Sequence, residues 1–243
     1  MSSLGRIMPF HPDDSLPAPE PGPKVGESYI RQLAPPSAEA AGEAPTPTGS
    51  TLPADASARR LVEALVERGV DTFFGIPGGP ACSVFEAIRL TPGARLIDSR
   101  HESHAAFAAA LYNRASGRVP AVVVTAGPGV TNAVTGIASA SLERVPMLVI
   151  AGDVAWSSTG RRLAQDSGPE GIAIESLLHP ITRVQVRAAH ARSVVSQALA
   201  ALDVAEDPMH PGPALFVLPL DHGMQSCEPQ EVMGPARRAA IEP

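Results

Sequence analysis

The chain holds 243 residues with a formal net charge of -6 at pH 7, 44% hydrophobic and 18% charged. That length accommodates one α/β domain of ordinary size plus flanking segments, but not two full domains with tails. An acidic chain lacks the global basic field that neutralises a phosphate backbone, which excludes nucleic acid as a main partner.

The first 53 residues are dense in Pro, Ala, Gly, Ser and Glu, with Pro17, Pro19, Pro21, Pro23, Pro35, Pro36, Pro45 and Pro47 removing backbone donors. So little apolar content cannot offset the entropy of ordering, and a disordered arm is predicted over 1–53. Tyr29 to Leu33 is a short apolar patch within it, either a docking element or a chance cluster. From residue 54 the pattern changes. Leu61, Val62, Leu65 and Val66 share one helical face that stops at Gly69. Strands are predicted at 72–76, 95–98, 121–125, 147–151, 182–186 and 214–218, with helices over 102–115, 130–142 and 191–205 between them. Runs such as Ala121-Val122-Val123-Val124 are apolar at every position, as strands covered on both faces are. Six strands in βα alternation predict a doubly wound, mainly parallel α/β domain over 54–222. The stretch 223–243 has no strong period and reads as a tail.

Cys82 and Cys227 are the only cysteines, giving neither a disulfide framework nor zinc spacing and fitting a reducing cytoplasm. Residues 1–10 lack a signal peptide's apolar stretch, and no apolar run reaches the roughly 18 residues of a membrane span, so no membrane partner is expected.

In open α/β sheets ligands bind beyond the carboxyl ends of the strands. Three loops there have unusual chemistry: Ile76-Pro77-Gly78-Gly79-Pro80, Ser99-Arg100-His101-Glu102 and Thr125-Ala126-Gly127-Pro128-Gly129-Val130-Thr131-Asn132. Taken singly each has a plain reading, as a tight turn, a dipole-stabilised acid at a helix start and a glycine turn opening a helix. None is a dinucleotide fingerprint, since Asn132 stands where the last glycine of G-x-G-x-x-G belongs, and the chain has neither G-K-[ST] nor G-x-S-x-G.

Order and spacing together carry more than any one loop. The set Val62 to Val70, Phe74-Gly75-Ile76-Pro77-Gly78-Gly79, Arg100-His101-Glu102, Gly127-Pro128-Gly129-Val130-Thr131-Asn132 and Val145-Pro146-Met147-Leu148-Val149-Ile150-Ala151-Gly152-Asp153 resembles the N-terminal, pyrimidine-binding domain of thiamine diphosphate (ThDP) enzymes of the acetolactate synthase type. The similarity continues through Gln165 and Ile181-Thr182-Arg183 to Pro211 through Asp221. The resemblance implies that Glu102 is the catalytic carboxylate, hydrogen-bonded to a ring nitrogen of the cofactor's aminopyrimidine and so promoting loss of the thiazolium C2 proton. It implies that Pro77, Gly78 and Gly79 lie against the pyrimidine, that Gly127, Pro128, Gly129 and Asn132 build the adjoining wall, and that Gln165 and His101 lie toward the substrate side, His101 and His104 as supporting neighbours. Asn132 has an equal claim as an ordinary first-turn residue bonding local backbone.

The sequence also departs from the family pattern. Ala126 stands where Ser precedes G-P-G, Ala164 where Phe precedes the glutamine, Asp166 where Glu follows it, and Arg183 where Lys follows Ile-Thr. Losing a phenyl ring changes the acceptor pocket, so pyruvate specificity does not carry over. The family's G-D-G…N segment for Mg²⁺ and phosphate has no counterpart, because Val154 follows Gly152-Asp153. The expectation is therefore one subunit of a split 2-oxo acid decarboxylase or carboligase. No metal ligands are assigned to this chain; a separate diphosphate-binding subunit holds Mg²⁺, and the assembly is a heterodimer or heterotetramer acting on a small 2-oxo acid. The alternative is a non-catalytic regulatory or scaffolding subunit that keeps the fold.

Overall fold

The computed structural model describes residues 52–227 apart from Arg162 and Ala164. The expected arm, except its last two residues, the expected tail beyond 227, and the Ala164 departure all lie outside the described residues. The described chain runs α1 (Ser57–Glu67), β1 (Thr72–Gly75), α2 (Cys82–Leu90), β2 (Arg95–Asp98), α3 (Glu102–Ser116), β3 (Ala121–Thr125), α4 (Pro128–Leu142), β4 (Met147–Asp153), α5 (Ile174–Leu178), β5 (Gln185–Arg187), α6 (Val194–Ala205), β6 (Pro213–Pro219) and α7 (Leu220–Met224).

All six strands form one parallel sheet in the order β2-β1-β3-β4-β6-β5. This is the doubly wound α/β fold that the βα alternation predicts. Strand residues alternate between two cores, as a two-residue period requires. Phe73, Val123, Leu148, Ile150 and Phe216 meet α1, α2 and α6 on one face. Phe74, Val122, Val124, Val149 and Val217 meet α3, α4 and α5 on the other. Covering on both faces explains why β3, β4 and β6 are buried almost throughout and read as unbroken apolar runs.

Several elements differ from the sequence expectation. Strand β4 continues through Gly152 to Asp153, paired with Leu218 and Pro219 of β6. The fifth strand is only Gln185–Arg187, because Thr182 is held in a turn, its Oγ1 donating to the Leu178 carbonyl at 2.8 Å and accepting from Gln185 Nε2 at 2.6 Å. Helix α2, which buries Val84, Phe85, Ala87 and Ile88, was not foreseen; its single short face follows directly on the Pro77–Pro80 turn. Beyond residue 222 the described chain stays attached. Ser57 N donates to the Gln225 carbonyl at 2.9 Å, Cys227 N to that of Asp55 at 3.0 Å, and Ala56 bridges Ser226. Backbone pairing of this kind has no hydrophobic period by which to announce itself.

Candidate active site at the carboxyl edge of the sheet

From β1 the chain passes through α2 to β2 on one side and then through α3 to β3 on the other. The crevice between β1 and β3 is therefore a topological switch point, the place where open α/β sheets bind ligands. Because β2, β1 and β3 are neighbours, the three loops singled out in the sequence emerge side by side.

Glu102 is the first residue of α3 and is half-buried. The preceding His101 caps that helix, its Nδ1 accepting from Ser103 N at 3.2 Å, which satisfies one orphan amide of the first turn. Asn132, in the first turns of α4, donates from Nδ2 to Glu102 Oε2 at 3.0 Å. Ser103 Oγ donates to the Asn132 carbonyl at 2.5 Å. The two helix starts are thus joined twice. Their closeness comes from small residues, Ala105, Ala106 and Ala109 on α3 facing Ala133, Gly136 and Ala140 on α4. His104 lies one turn from His101, both exposed, with ring centroids 5.7 Å apart.

The glycine loops meet around Thr125, the last residue of β3. A Cβ on Gly78 would come within 2.9 Å of Thr125 Cβ, and one on Gly129 within 2.9 Å of Thr125 Cγ2 and 3.5 Å of Glu102 Oε1. Pro77, Gly79 and Pro128 are exposed at the rim. Gly127 adopts φ 62°, ψ -107°, a conformation that side chains rarely tolerate. The result is two glycine turns packed closely on Thr125 beside a carboxylate whose Oε1 accepts no hydrogen bond among the described residues. A flat heteroaromatic ring with a ring nitrogen to share a proton fits such a surface, and the donor set suits the pyrimidine of ThDP.

Gln165 is placed elsewhere. It is half-buried on the excursion 154–173 that follows β4, next to the buried Asp166. Asp166 accepts from Gly160 N at 2.8 Å and Gly168 N at 3.0 Å, which folds the excursion back on itself. The excursion reaches the glycine turn through Ser167, whose Oγ accepts from Gly127 N at 2.8 Å. Ser167 in turn rests on an ion pair between the fully buried Asp153 and the half-buried Arg187. Its N donates to Asp153 Oδ1 at 3.2 Å and its carbonyl accepts from Arg187 Nη2 at 3.3 Å. Arg187 Nη1 pairs with Asp153 Oδ2, and Nε donates to Glu175 Oε1 at 2.5 Å. Burial lowers the Arg187 pKa, but the hydrogen bonds and charges of Glu175 and Asp153 outweigh it and raise the pKa overall.

The structure thus brings Glu102, Asn132, Gly78, Gly127 and Gly129 to one place. Sequence reading placed Thr125 in the third loop without giving it a role, and missed Ser103, Ser167 and Arg187. A polar residue ending an apolar strand was a usable signal for Thr125; Ser167 and Arg187 had none. Among the described residues no group of three or more His, Cys, Asp or Glu side chains is placed to hold a metal ion, and no described helix is long and apolar enough to cross a membrane.

A switch-point crevice lined by glycine turns, with one carboxylate at a helix start, defines a ligand-binding α/β domain of the kind that binds a ring cofactor. Residues 56–174 match the family model of the thiamine pyrophosphate enzyme N-terminal TPP binding domain. The chain is similar to the acetolactate synthase large subunit of Lactococcus lactis, 36% identical over 176 residues, covering 72% of this chain and 29% of that protein. It is 32% identical over 204 residues to the mitochondrial acetolactate synthase catalytic subunit of Saccharomyces cerevisiae, covering 84% of this chain and 29% of the relative. Against the acetolactate synthase isozyme 3 large subunit of Escherichia coli it is 38% identical over 122 residues, half of this chain and 21% of that one. The chain therefore aligns with less than a third of the length of these relatives.

Proposed function

We propose that this chain supplies the pyrimidine-binding half of a ThDP-dependent 2-oxo acid decarboxylase or carboligase, working in the cytoplasm. A separate diphosphate-binding chain completes the site and holds Mg²⁺, in a heterodimer or heterotetramer. The observation that carries this reading is the half-buried Glu102 carboxylate, fixed through Oε2 by Asn132 and bordered at Oε1 by the bare backbone of Gly129.

ThDP, when bound, supplies a nucleophilic carbon and an electron sink for the bond broken in a 2-oxo acid. The protein residues handle position and protons. Glu102 holds and returns a proton at the pyrimidine ring nitrogen, a general acid–base role. Asn132 keeps the carboxylate in one rotamer. Pro77, Gly78 and Gly79, together with Gly127, Pro128 and Gly129, would line the pyrimidine and exclude water from it. Gln165 orients the substrate side, and His101 holds the start of α3. Holding Mg²⁺ beside phosphate oxygens asks for carboxylate and carbonyl ligands, and these belong to the partner chain.

The test is co-purification with candidate diphosphate-binding chains, followed by assay of CO₂ release from 2-oxo acids and of cofactor C2 proton exchange into deuterated water. Exchange by the intact complex should fall by roughly 10² to 10⁴-fold in Glu102→Gln. Wild-type exchange in that variant would remove Glu102 from the role and favour a regulatory subunit. Turnover by this chain alone would overturn the shared site.

A further inference from the structure

We propose that the Asp153–Arg187 ion pair, acting through Ser167, is a positioning device that holds the Gly127 turn and the Gln165 excursion in register with each other. The proposal deepens the functional reading above and rests on it for what the turn contacts. The device itself is defined by this chain alone.

Four residues converge on Ser167, and each contact is directional: Gly127, Asp153, Arg187 and Ile174 at the start of α5, whose amide donates to the Ser167 carbonyl at 3.3 Å. The side chain of Ser167 accepts the Gly127 amide at 2.8 Å, which is the first amide of the turn whose backbone sits at φ 62° and ψ -107°. Its own amide is taken by Asp153 Oδ1 at 3.2 Å and its carbonyl by Arg187 Nη2 at 3.3 Å. Ser167 is fully buried, so no solvent competes for these groups. Asp153 ends β4, between the two halves of the sheet, and Arg187 ends the edge strand β5. The guanidinium therefore spans from the sheet edge to its centre, and its remaining nitrogen is fixed by Glu175 on α5.

The purpose of such a span follows from what it connects. A glycine turn held at positive φ has many accessible states when released. One hydrogen bond from a rigid acceptor selects among them, but only if the acceptor is itself immobile. Asp153 and Arg187 immobilise Ser167 on both its amide and its carbonyl. Gln165 lies two residues away on the same segment, so the wall of the cofactor cradle and the substrate-side residue are referred to one anchor. An apolar pair at 153 and 187 would fill the same space without fixing Ser167.

The experiment uses the full chain and follows amide hydrogen exchange at Gly127 by NMR, then ThDP affinity of the complex with its diphosphate-binding partner. In Ser167→Ala the Gly127 amide loses its acceptor, and its exchange should rise by about tenfold or more, as expected for one lost hydrogen bond. Ser167→Thr keeps the hydroxyl and should restore protection. Arg187→Lys, which keeps the charge but not the fork to both Asp153 and Ser167, should also raise exchange at Gly127 while leaving the amides of β3 protected. In the complex, Ser167→Ala should weaken ThDP binding by a similar factor. Unchanged exchange at Gly127 in both Ser167→Ala and Arg187→Lys would overturn the device. So would a uniform rise across the sheet, which would report lost stability instead of a lost position. If the wild-type chain binds ThDP with no partner at all, the functional reading fails alone, and the Gly127 exchange rate still decides the positioning role.

Discussion

Asn132 donates to the Glu102 carboxylate across 3.0 Å and, through its carbonyl, accepts from the neighbouring Ser103. One residue of α4 therefore fixes both the side chain and the helix start that carry the proposed chemistry. Asn132→Ala should lower cofactor C2 exchange in the assembled enzyme by about 10- to 100-fold at most, since a neutral donor to a carboxylate is worth about 1.5–3 kcal/mol. Asn132→Asp should do more harm, because a second carboxylate at this distance disfavours the charged form of the first. Equal rates in the two variants would show that charge at position 132 is irrelevant.

Helices α3 and α4 approach closely at Gly136, where a Cβ would lie 2.5 Å from Ala106 Cβ and 3.1 Å from the Ser103 carbonyl. Neither neighbour is a flexible side-chain tip. Overpacking of this kind costs about 1–3 kcal/mol, against up to ~1 kcal/mol that Ala gains over Gly in a helix. Gly136→Ala should therefore destabilise the domain by roughly 1–2 kcal/mol in denaturant titration, with activity falling further than stability because the displaced helix carries Glu102.

Arg187 is the only cation paired with Asp153 among the described residues, and Asp153 is fully buried. Removing one partner of a buried pair strands the other. Arg187→Met should cost about 3–5 kcal/mol, read from urea unfolding. The double variant Asp153→Asn/Arg187→Met should recover part of that loss, since the amide oxygen can still accept from Val154 N and Ser167 N. A double variant as unstable as the single would mean that the guanidinium acts through Glu175 instead.

The two thiols should differ in reactivity. Cys82 is exposed, whereas Cys227 is partly covered. Burial pushes the Cys227 thiol above its ordinary pKa, and Asp55 adds to the shift while Arg60 opposes it. Since the thiolate is the reactive form, iodoacetamide at neutral pH should label Cys82 well before Cys227 in the native chain, and both alike in denaturant. Mass spectrometry of the labelled peptides reads this directly.

Much of the fold was legible because its signals are local. Val122 to Val124 and Leu148 to Ile150 are apolar at successive positions and rich in β-branched residues, as a strand covered on both faces is. Glu102, Asn132 and the glycine turns were legible as an ordered set of loops, which the strand order places side by side. Strand β5 was misplaced because three half-buried residues at a sheet edge carry almost no period, and Thr182 prefers its local side-chain bonds. The Asp153–Arg187–Ser167 network was invisible for a different reason. It joins residues far apart in sequence through polar atoms, and nothing in the local composition of any of the three marks the partnership.

The strand order also dictates a schedule. Every ladder joins strands with at least one helix between them in the chain, and β4 finds its second partner only in β6, the last strand of the sheet. On the ribosome, at roughly 5–20 residues per second, β2, β1 and β3 can associate as soon as Thr125 has emerged. The nascent chain then carries Glu102 and both glycine turns on a half-sheet while the Val- and Ile-rich edge of β4 stays open until Pro213–Pro219 is made. Open edges are where chains pair with one another, so the interval between those two strands is when the nascent half-sheet is most open to pairing with another chain.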